Sequence, residues 1–161
     1  MSIPRIRVAA YVLRRRQSWE LLIFEQAACS QAGRQIPAGG VHFNETPEEA
    51  VLREVHEETG LTGLRLREQL VTEDRPHPLT GQPCRTTYFT IEVDSATPDA
   101  WEHVVRGDDA DDGLIFICRF VPLPLGQSLA DHQDAWLELI DKRFVTTWAR
   151  GTNENRTNRR P

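Results

Sequence analysis

Cysteines are few in this sequence, and none of them sits in a metal-binding pattern. Cys29, Cys84 and Cys118 are odd in number and widely spaced, which argues against both a disulfide framework and the paired spacing of a zinc site. We interpret them as free thiols, as expected in a reducing compartment.

Long apolar runs are also missing. No stretch reaches the roughly 20 apolar residues that a membrane-spanning helix needs. The N-terminus has no basic segment followed by an apolar one, which is the pattern of a secretory signal. The sequence therefore predicts a cytoplasmic protein without a membrane partner.

A surplus of positive charge is absent too. The chain has 19 Lys and Arg against 24 Asp and Glu, for a formal net charge of −5. Nucleic-acid binders usually carry a basic face, so a nucleic-acid partner is not expected. A small anionic substrate stays compatible with this charge, because bound metal ions supply positive charge locally.

Length and composition predict one domain. The 161 residues, 39% of them hydrophobic and 27% charged, are enough for a single core of ordinary composition. No internal repeat is visible. We predict a domain over residues 1–145 and a flexible tail over residues 146–161, where the sequence is polar and has no periodicity.

What the sequence does contain is a glycine-rich loop that leads into a helix, at residues 39–61. Thr46 has the position of an N-cap, Pro47 that of the first helical residue, and Glu49 follows Thr46 by three, which makes a capping box. Gly60 is the expected left-handed residue at the helix C-terminus.

Three carboxylates of this predicted helix share one face. At about 100° per residue, Glu54, Glu57 and Glu58 fall within roughly one third of the circumference, with the small Ala50 among them. Such oxygen ligands suit Mg²⁺ or Mn²⁺ rather than zinc. For an E-x-x-E-E run alone, a solvated acidic helix face is the alternative. The neighbouring face is apolar and is predicted to be buried: Val51, Leu52 and Val55.

The carboxylates belong to a longer pattern. Gly39 is followed after five residues by Glu45, and after seven more by the run REVHEETGL at residues 53–61. This resembles the Nudix hydrolase family at every specified position of its sequence box, and the order of elements extends the resemblance over residues 4–141. It implies an α+β fold, an α/β/α sandwich around a mixed β-sheet.

The resemblance also implies an activity. Family members use Mg²⁺ or Mn²⁺ to hydrolyse the diphosphate linkage of a nucleoside diphosphate joined to another moiety, by attack of water at phosphorus. The implied metal ligands are Gly39 (through its carbonyl), Glu54, Glu57 and Glu58. The implied catalytic residues are Arg53, Glu54, Glu57 and Glu58. Glu45 and Arg53 would pair and hold the glutamates in place. Which glutamate acts as the base stays open.

Other side chains are weaker candidates. A carboxylate from outside the box is open among Glu102, Asp108, Asp109 and Asp111. The acidic loop at residues 106–113 is interpreted as a solvated hairpin turn, because no glutamate closes a calcium-loop pattern. His42 replaces a residue that is often acidic in the family, and His56 is predicted to lie on the surface. Three aromatic residues are interpreted as core rather than as platforms for a base: Tyr88, Phe89 and Trp101.

The rest of the chain predicts strands and one further helix. Predicted strands cover residues 6–13, 20–24, 35–36, 64–72, 85–93, 101–105 and 114–121. The arginine run at 14–16 is interpreted as part of a solvated turn between the first two. A second helix is predicted at 128–140, capped by Ser128 and covering the sheet face opposite the box helix.

The substrate is not decided by the sequence. Pro76 lies fifteen residues beyond Leu61, a position where proline is associated with ADP-ribose hydrolysis in this family. A nucleoside triphosphate, another nucleotide sugar and a dinucleoside polyphosphate stay open, as do a nucleotide-binding regulatory module with lapsed catalysis and a homodimer. Processing of RNA 5′ ends would need a basic track to the site.

Overall fold

A computed structural model describes residues 2–140 of the chain, so the predicted tail and domain boundary lie outside the described residues. Its core is a seven-stranded sheet with the order β4-β5-β1-β2-β7-β6, and the short β3 also pairs with β1. The elements are β1 (Arg5–Arg15), β2 (Trp19–Gln26), β3 (Ala38–Gly40), α1 (Pro47–Thr59), β4 (Arg65–Asp74), β5 (Cys84–Val93), β6 (Ala100–Val104) and β7 (Ile115–Pro122). Two 3-10 turns lie at Ser30–Ala32 and Ala130–His132.

The sheet is mixed, as predicted. β1 runs parallel to β5 and antiparallel to β2 and β3, and β4 and β6 form the two edges. The parallel pair of β1 and β5 lies inside the sheet, and most of its residues are buried, as is usual for a parallel pair covered on both faces. This arrangement confirms the predicted α+β class with a mixed sheet.

The side chains of strand β1 show that both faces of the sheet are covered. Successive side chains of a strand point to opposite faces, and both sets here are buried. The set that packs with α1 is Val8, Ala10 and Val12. The set on the other face is Ala9, Tyr11 and Leu13, which pack with Leu129, Leu137 and Ile140. The predicted position of the last segment, opposite the box helix, is therefore confirmed.

The predicted second helix is wrong over its first part. Asp131 and His132 have φ angles of 53° and 55°, which an α-helix of L-residues does not allow. Ser128 therefore caps no helix. The backbone N–H of Leu129 instead donates to the Asp134 carboxylate over 3.2 Å. Of the segment 128–140, only residues 137–140 are α-helical.

Two other predictions about the first strands need correction. The hairpin is longer than predicted, because β1 continues through Arg14 and Arg15. Arg14 is 1% exposed, so a solvated turn is wrong for that residue. The strand predicted at residues 35–36 lies at Ala38–Gly40, whereas Gln35 forms only an isolated bridge to Phe24.

None of the helices described within residues 2–140 combines the length and the apolar character that crossing a membrane requires.

Candidate active site

Helix α1 begins and ends as its sequence predicts. The Thr46 hydroxyl accepts the Glu49 N–H over 3.2 Å, and the Glu49 carboxylate accepts the Thr46 N–H over 2.9 Å. Gly60 closes the helix with a φ of 74°. Beyond that end, the Trp101 indole on β6 donates to the carbonyl of Thr59 over 2.8 Å. Trp101 thus has a structural role, and the helix is fixed at both ends.

The three glutamates of α1 do not face bulk solvent. Glu54 and Glu58 are 3% and 5% exposed, and Glu57 is half-buried. The Glu58 carboxylate accepts the backbone N–H of Ala38, on β3, over 3.2 Å. A Cβ at Gly39 would lie 2.1 Å from the Glu54 carboxyl group. The alternative of a solvated acidic face is therefore wrong. The absence of a side chain at Gly39, on β3, leaves the space that the Glu54 carboxylate occupies.

Arg53 lies at the centre of these groups. Its guanidinium donates to Glu54 over 2.8 Å and to Glu57 over 3.2 Å. It also donates to both Glu45 oxygens, over 2.7 and 3.0 Å, and to the carbonyl of Gly40 over 2.8 Å. The bonds from Arg53 hold the pKa of Glu45 at about 2. The pair predicted between Arg53 and Glu45 is present, and it connects the helix to the glycine loop.

Both buried glutamates have a raised pKa. Burial raises the pKa of Glu54, although Arg53 opposes this effect. Burial and the neighbouring Glu54 charge raise the pKa of Glu58 well above its usual range. A divalent cation would reverse both effects, because it favours ionised carboxylates. The donor chemistry therefore fits a hard cation, although no three such side chains within residues 2–140 already converge on one point.

The acidic loop at residues 106–113 joins β6 to β7 and is mostly exposed, as expected for a solvated hairpin turn, and it also lines the site beside α1. Asp109, Asp111 and Asp112 line a cavity of about 230 Å³ together with the three α1 glutamates. Burial and the charge of Asp109 raise the pKa of Asp111. A Cβ at Gly107 would lie 2.5 Å from the Glu57 carboxylate, so the loop approaches α1 closely. Asp109 and Asp111, of the predicted candidates, reach the cavity; Glu102 and Asp108 do not line it.

Sequence reasoning missed two arginines of this cavity. Arg5 and Arg7 lie on β1 and line the same cavity as the carboxylates. Their i, i+2 spacing puts both on one face of the strand, and this signal was available in the sequence. The pairing of Arg7 with Gly40 across β1 and β3 brings that face to the glycine loop, and this pairing was not predictable locally.

A second cavity, of about 60 Å³, adjoins the first. Tyr88, on β5, and Pro76, in the loop before it, line this second cavity. Tyr88 is therefore at a cavity wall as well as in the core, whereas Phe89 is 1% exposed and belongs to the core. The two histidines near the box are both exposed: His42, whose N–H donates to Glu45, and His56, whose ring contacts the carbonyl of Leu61.

Comparison with known families decides where the chain belongs. The family model of the NUDIX domain matches residues 4–139. The chain belongs to the Nudix family. Its box lies at the loop and helix described above. The prediction from the box is confirmed at this level.

Individual relatives resemble the chain over different lengths. An RNA pyrophosphohydrolase of Acinetobacter baylyi is 63% identical over 27 residues. This match covers 17% of the chain and only 16% of that relative. Among solved structures, a C. elegans Ap4A hydrolase has a TM-score of 0.59 at 17% identity, over 91% of this chain and 99% of that one. The NUDIX domain of Shewanella oneidensis NrtR, complexed with ADP ribose, has a TM-score of 0.65 at 18% identity, over 89% and 90%. At these identities the structures show a shared fold.

Proposed function

We propose that this Nudix protein hydrolyses the diphosphate linkage of a nucleoside diphosphate joined to another moiety, such as a nucleoside triphosphate, with Mg²⁺ or Mn²⁺ as cofactor. The observation that carries the proposal is that acidic groups and arginines line the same cavity. Glu54, Glu57 and Glu58 line it together with Arg5 and Arg7. A diphosphate fits a site with both kinds of group. Metal cations bound by the carboxylates can neutralise part of its negative charge, and the arginine guanidinium groups can neutralise another part.

The residues divide the work as follows. Glu54, Glu57 and Glu58 would hold the ion, with the carbonyl of Gly39 as a further ligand. A bound Mg²⁺ or Mn²⁺ supplies charge neutralisation at the diphosphate and lowers the pKa of a water molecule. Arg53 orients two of the carboxylates through its bonds to Glu54 and Glu57, as second-layer contacts do in metal sites generally.

The chain's own groups prepare attack by water at phosphorus. The buried Glu58, whose pKa is raised by burial, and the more open Glu57 are the two candidates for accepting the proton of the water. Asp109 and Asp111 add two further carboxylates to the lining of the cavity. They would restrict the substrate to its cation-bound form, because an uncompensated phosphate is repelled there.

The first prediction tests this assignment by substitution. Glu57→Gln and Glu58→Gln keep the shape of the side chain and remove its charge, so we expect turnover to fall by roughly 100-fold or more while the protein stays folded. Release of phosphate or pyrophosphate from a nucleotide panel, measured with Mg²⁺, with Mn²⁺ and with EDTA, gives the readout. Circular dichroism checks the fold.

The matched control is Glu102→Gln, because Glu102 is an exposed glutamate of β6 outside the cavity lining. We expect this variant to keep wild-type turnover. Wild-type turnover in folded Glu57 or Glu58 variants would contradict the roles proposed for these residues. Equal turnover of wild-type protein with Mg²⁺ and with EDTA would contradict the requirement for a metal ion.

ADP-ribose or another nucleotide sugar is a second candidate substrate. The supporting observation is that Pro76 lines the smaller cavity beside the catalytic one, so this proline is placed where a group attached to the diphosphate can reach it. The panel therefore includes ADP-ribose, a nucleotide sugar, a dinucleoside polyphosphate and an RNA with a 5′-triphosphate. A regulatory module with lapsed catalysis would bind members of the panel and release no product.

A further inference from the structure

Arg7 differs from the other buried cations of the sheet. It is partly buried, and its Nε has no hydrogen-bond partner among residues 2–140. A buried N–H without an acceptor is energetically unfavourable, because it has lost its bond to water and gained none in return. By comparison, Arg53 is also partly buried and has five hydrogen bonds to Glu45, Glu54, Glu57 and Gly40. The fold thus leaves Arg7 with an open donor that an anionic ligand can fill.

The position of Arg7 shows what such a ligand has to span. Arg7 lines both the 230 Å³ carboxylate cavity and the 60 Å³ second cavity, and Ala38 and His77 are the other residues that line both. In the sheet, Arg7 pairs with Gly40 on one side and Thr86 on the other. A molecule that extends from one cavity to the other therefore passes this guanidinium group.

The second cavity is unlike the first in chemistry. Its walls include the apolar Ala9, Pro76 and Pro78 and the polar Tyr88 and Gln133, and the charged Glu73, Arg75 and Asp131 also line it. Apolar walls with polar groups at fixed positions are usual for sites that bind small organic molecules.

Its polar groups are also held in place. Gln133 is 9% exposed, and its Oε1 accepts the backbone N–H of Ile36 over 2.9 Å, which leaves the amide NH₂ as the group that can donate to a ligand. Glu73, another residue of this lining, accepts hydrogen bonds from Arg75 and from the indole of Trp136. Burial, with the nearby Glu73 charge, raises the pKa of Tyr88 to about 12, so its hydroxyl stays protonated.

We infer that Arg7 binds the phosphate chain of the substrate at the junction of the two cavities, and that the second cavity holds the nucleobase against Gln133 and Tyr88. This inference rests on the proposed function, since it divides the same substrate between the two cavities. Arg7 is then a substrate-binding residue, and Gln133 and Tyr88 determine which base is accepted.

The test separates phosphate from base by equilibrium binding. Isothermal titration calorimetry on the full chain with Mg²⁺ compares methylenediphosphonate, which has no base, with the α,β-methylene analogues of ADP and GDP. None of the three has the hydrolysable anhydride. We expect at least one nucleotide analogue to bind wild-type protein about 10-fold or more tightly than methylenediphosphonate.

Arg7→Ala should weaken methylenediphosphonate and the preferred nucleotide by a similar factor, roughly 10- to 100-fold, as expected for a lost charge-assisted bond. Arg7→Lys should recover part of this loss, because it keeps the charge without the fork of donors. Arg119→Ala is the matched control, since Arg119 lies on β7 and pairs with Glu25. It should leave all three affinities unchanged.

Gln133→Ala and Tyr88→Phe should weaken the nucleotide and leave methylenediphosphonate unchanged. Tyr88→Phe guards against misfolding, because it keeps the ring that packs beside Tyr11. Unchanged methylenediphosphonate binding by Arg7→Ala would overturn the role of Arg7. The assignment of the second cavity to the base would be wrong if wild-type protein bound neither nucleotide analogue more tightly than methylenediphosphonate. It would also be wrong if Gln133→Ala and Tyr88→Phe both kept the wild-type preference for the nucleotide over methylenediphosphonate. The proposed function fails separately, if the nucleotides bind as expected and nothing on the panel is hydrolysed.

Discussion

Two of the four arginines of strand β1, Arg7 and Arg14, lie toward opposite ends, and the fold surrounds these two residues differently. Arg14 is 1% exposed. It bonds Glu20 over 2.7 Å and Asp99 over 2.9 Å, and its guanidinium lies 4.2 Å above the Phe120 ring. Arg7 is only partly buried, and its Nε has no acceptor within the described part of the chain. The same residue type on the same strand is satisfied at one end and open at the other.

The difference shows how the sheet separates stability from function. At the Arg14 end, the chain supplies carboxylates and the carbonyl of Thr97, so this arginine fixes the loop that precedes β6. At the Arg7 end, the nearest acidic wall is the one that we propose holds metal ions. We conclude that burial of a charge is not itself a sign of function, and that a buried donor without an acceptor, at the edge of a cavity, is the better sign.

The largest effect on stability should come from Arg14. Arg14→Leu removes a buried cation and leaves Glu20 without its partner, so we expect the free energy of unfolding to fall by about 3 kcal/mol. Chemical denaturation measures this loss, and turnover per folded molecule should not change. Arg7→Ala, measured in parallel, should cost less than about 1 kcal/mol, because no internal hydrogen bond is lost at Nε. The comparison would break if the two variants lost similar stability.

The local signals in the sequence predicted the box helix well. The capping box and Gly60 are local, so both helix ends are where they were expected. The common face of Glu54, Glu57 and Glu58 follows from helical periodicity alone. By contrast, the apolar spacing of residues 128–140 predicted which residues are buried but not their backbone, because Asp131 and His132 interrupt the helix with positive φ angles.

What the sequence did not predict depends on contacts between distant segments. The acidic loop at 106–113 reaches α1 because Gly107 lies against Glu57, and a spacing rule for turns contains no information on that contact. The burial of Arg14 was unpredictable for the same reason, since its partner Asp99 is 85 positions away in the chain and pairs with it only in the folded sheet. The site was thus predictable where it lies on one helix and unpredictable where the sheet completes it.

A smaller effect, on activity rather than stability, is expected at Gly39, which lies on β3 and pairs with β1 next to Arg7. Gly39→Ala places a Cβ 2.1 Å from the Glu54 carboxyl group, and the end of that flexible side chain has to move. We expect kcat to fall by about 100-fold, equivalent to about 2.7 kcal/mol, with little loss of stability. Steady-state kinetics and thermal unfolding measure the two quantities.

Gly126→Ala is the control for this substitution, because a Cβ at Gly126 meets nothing within 4 Å. It should leave both kcat and the unfolding temperature unchanged. A Gly39→Ala protein with wild-type kcat would show that the close approach of β3 to Glu54 has no catalytic consequence, and it would weaken the contrast between the two ends of β1.

The smallest effect is expected at Glu45, which joins the box loop to Arg53. Its pKa is lowered to about 2 by the bonds from Arg53, against about 4.3 in an unfolded chain. The ionised form therefore stabilises the fold above about pH 4.3, and this contribution is lost as the pH falls from about 4.3 toward 2. Glu45→Gln should lower the free energy of unfolding by about 1–2 kcal/mol at pH 7, after allowance for solvent screening. Urea denaturation between pH 7 and 3 should show the difference from wild type shrink below pH 4.3, whereas Glu102→Gln should match wild type throughout. A difference that stays constant with pH would mean that Glu45 acts through its shape and not through its charge.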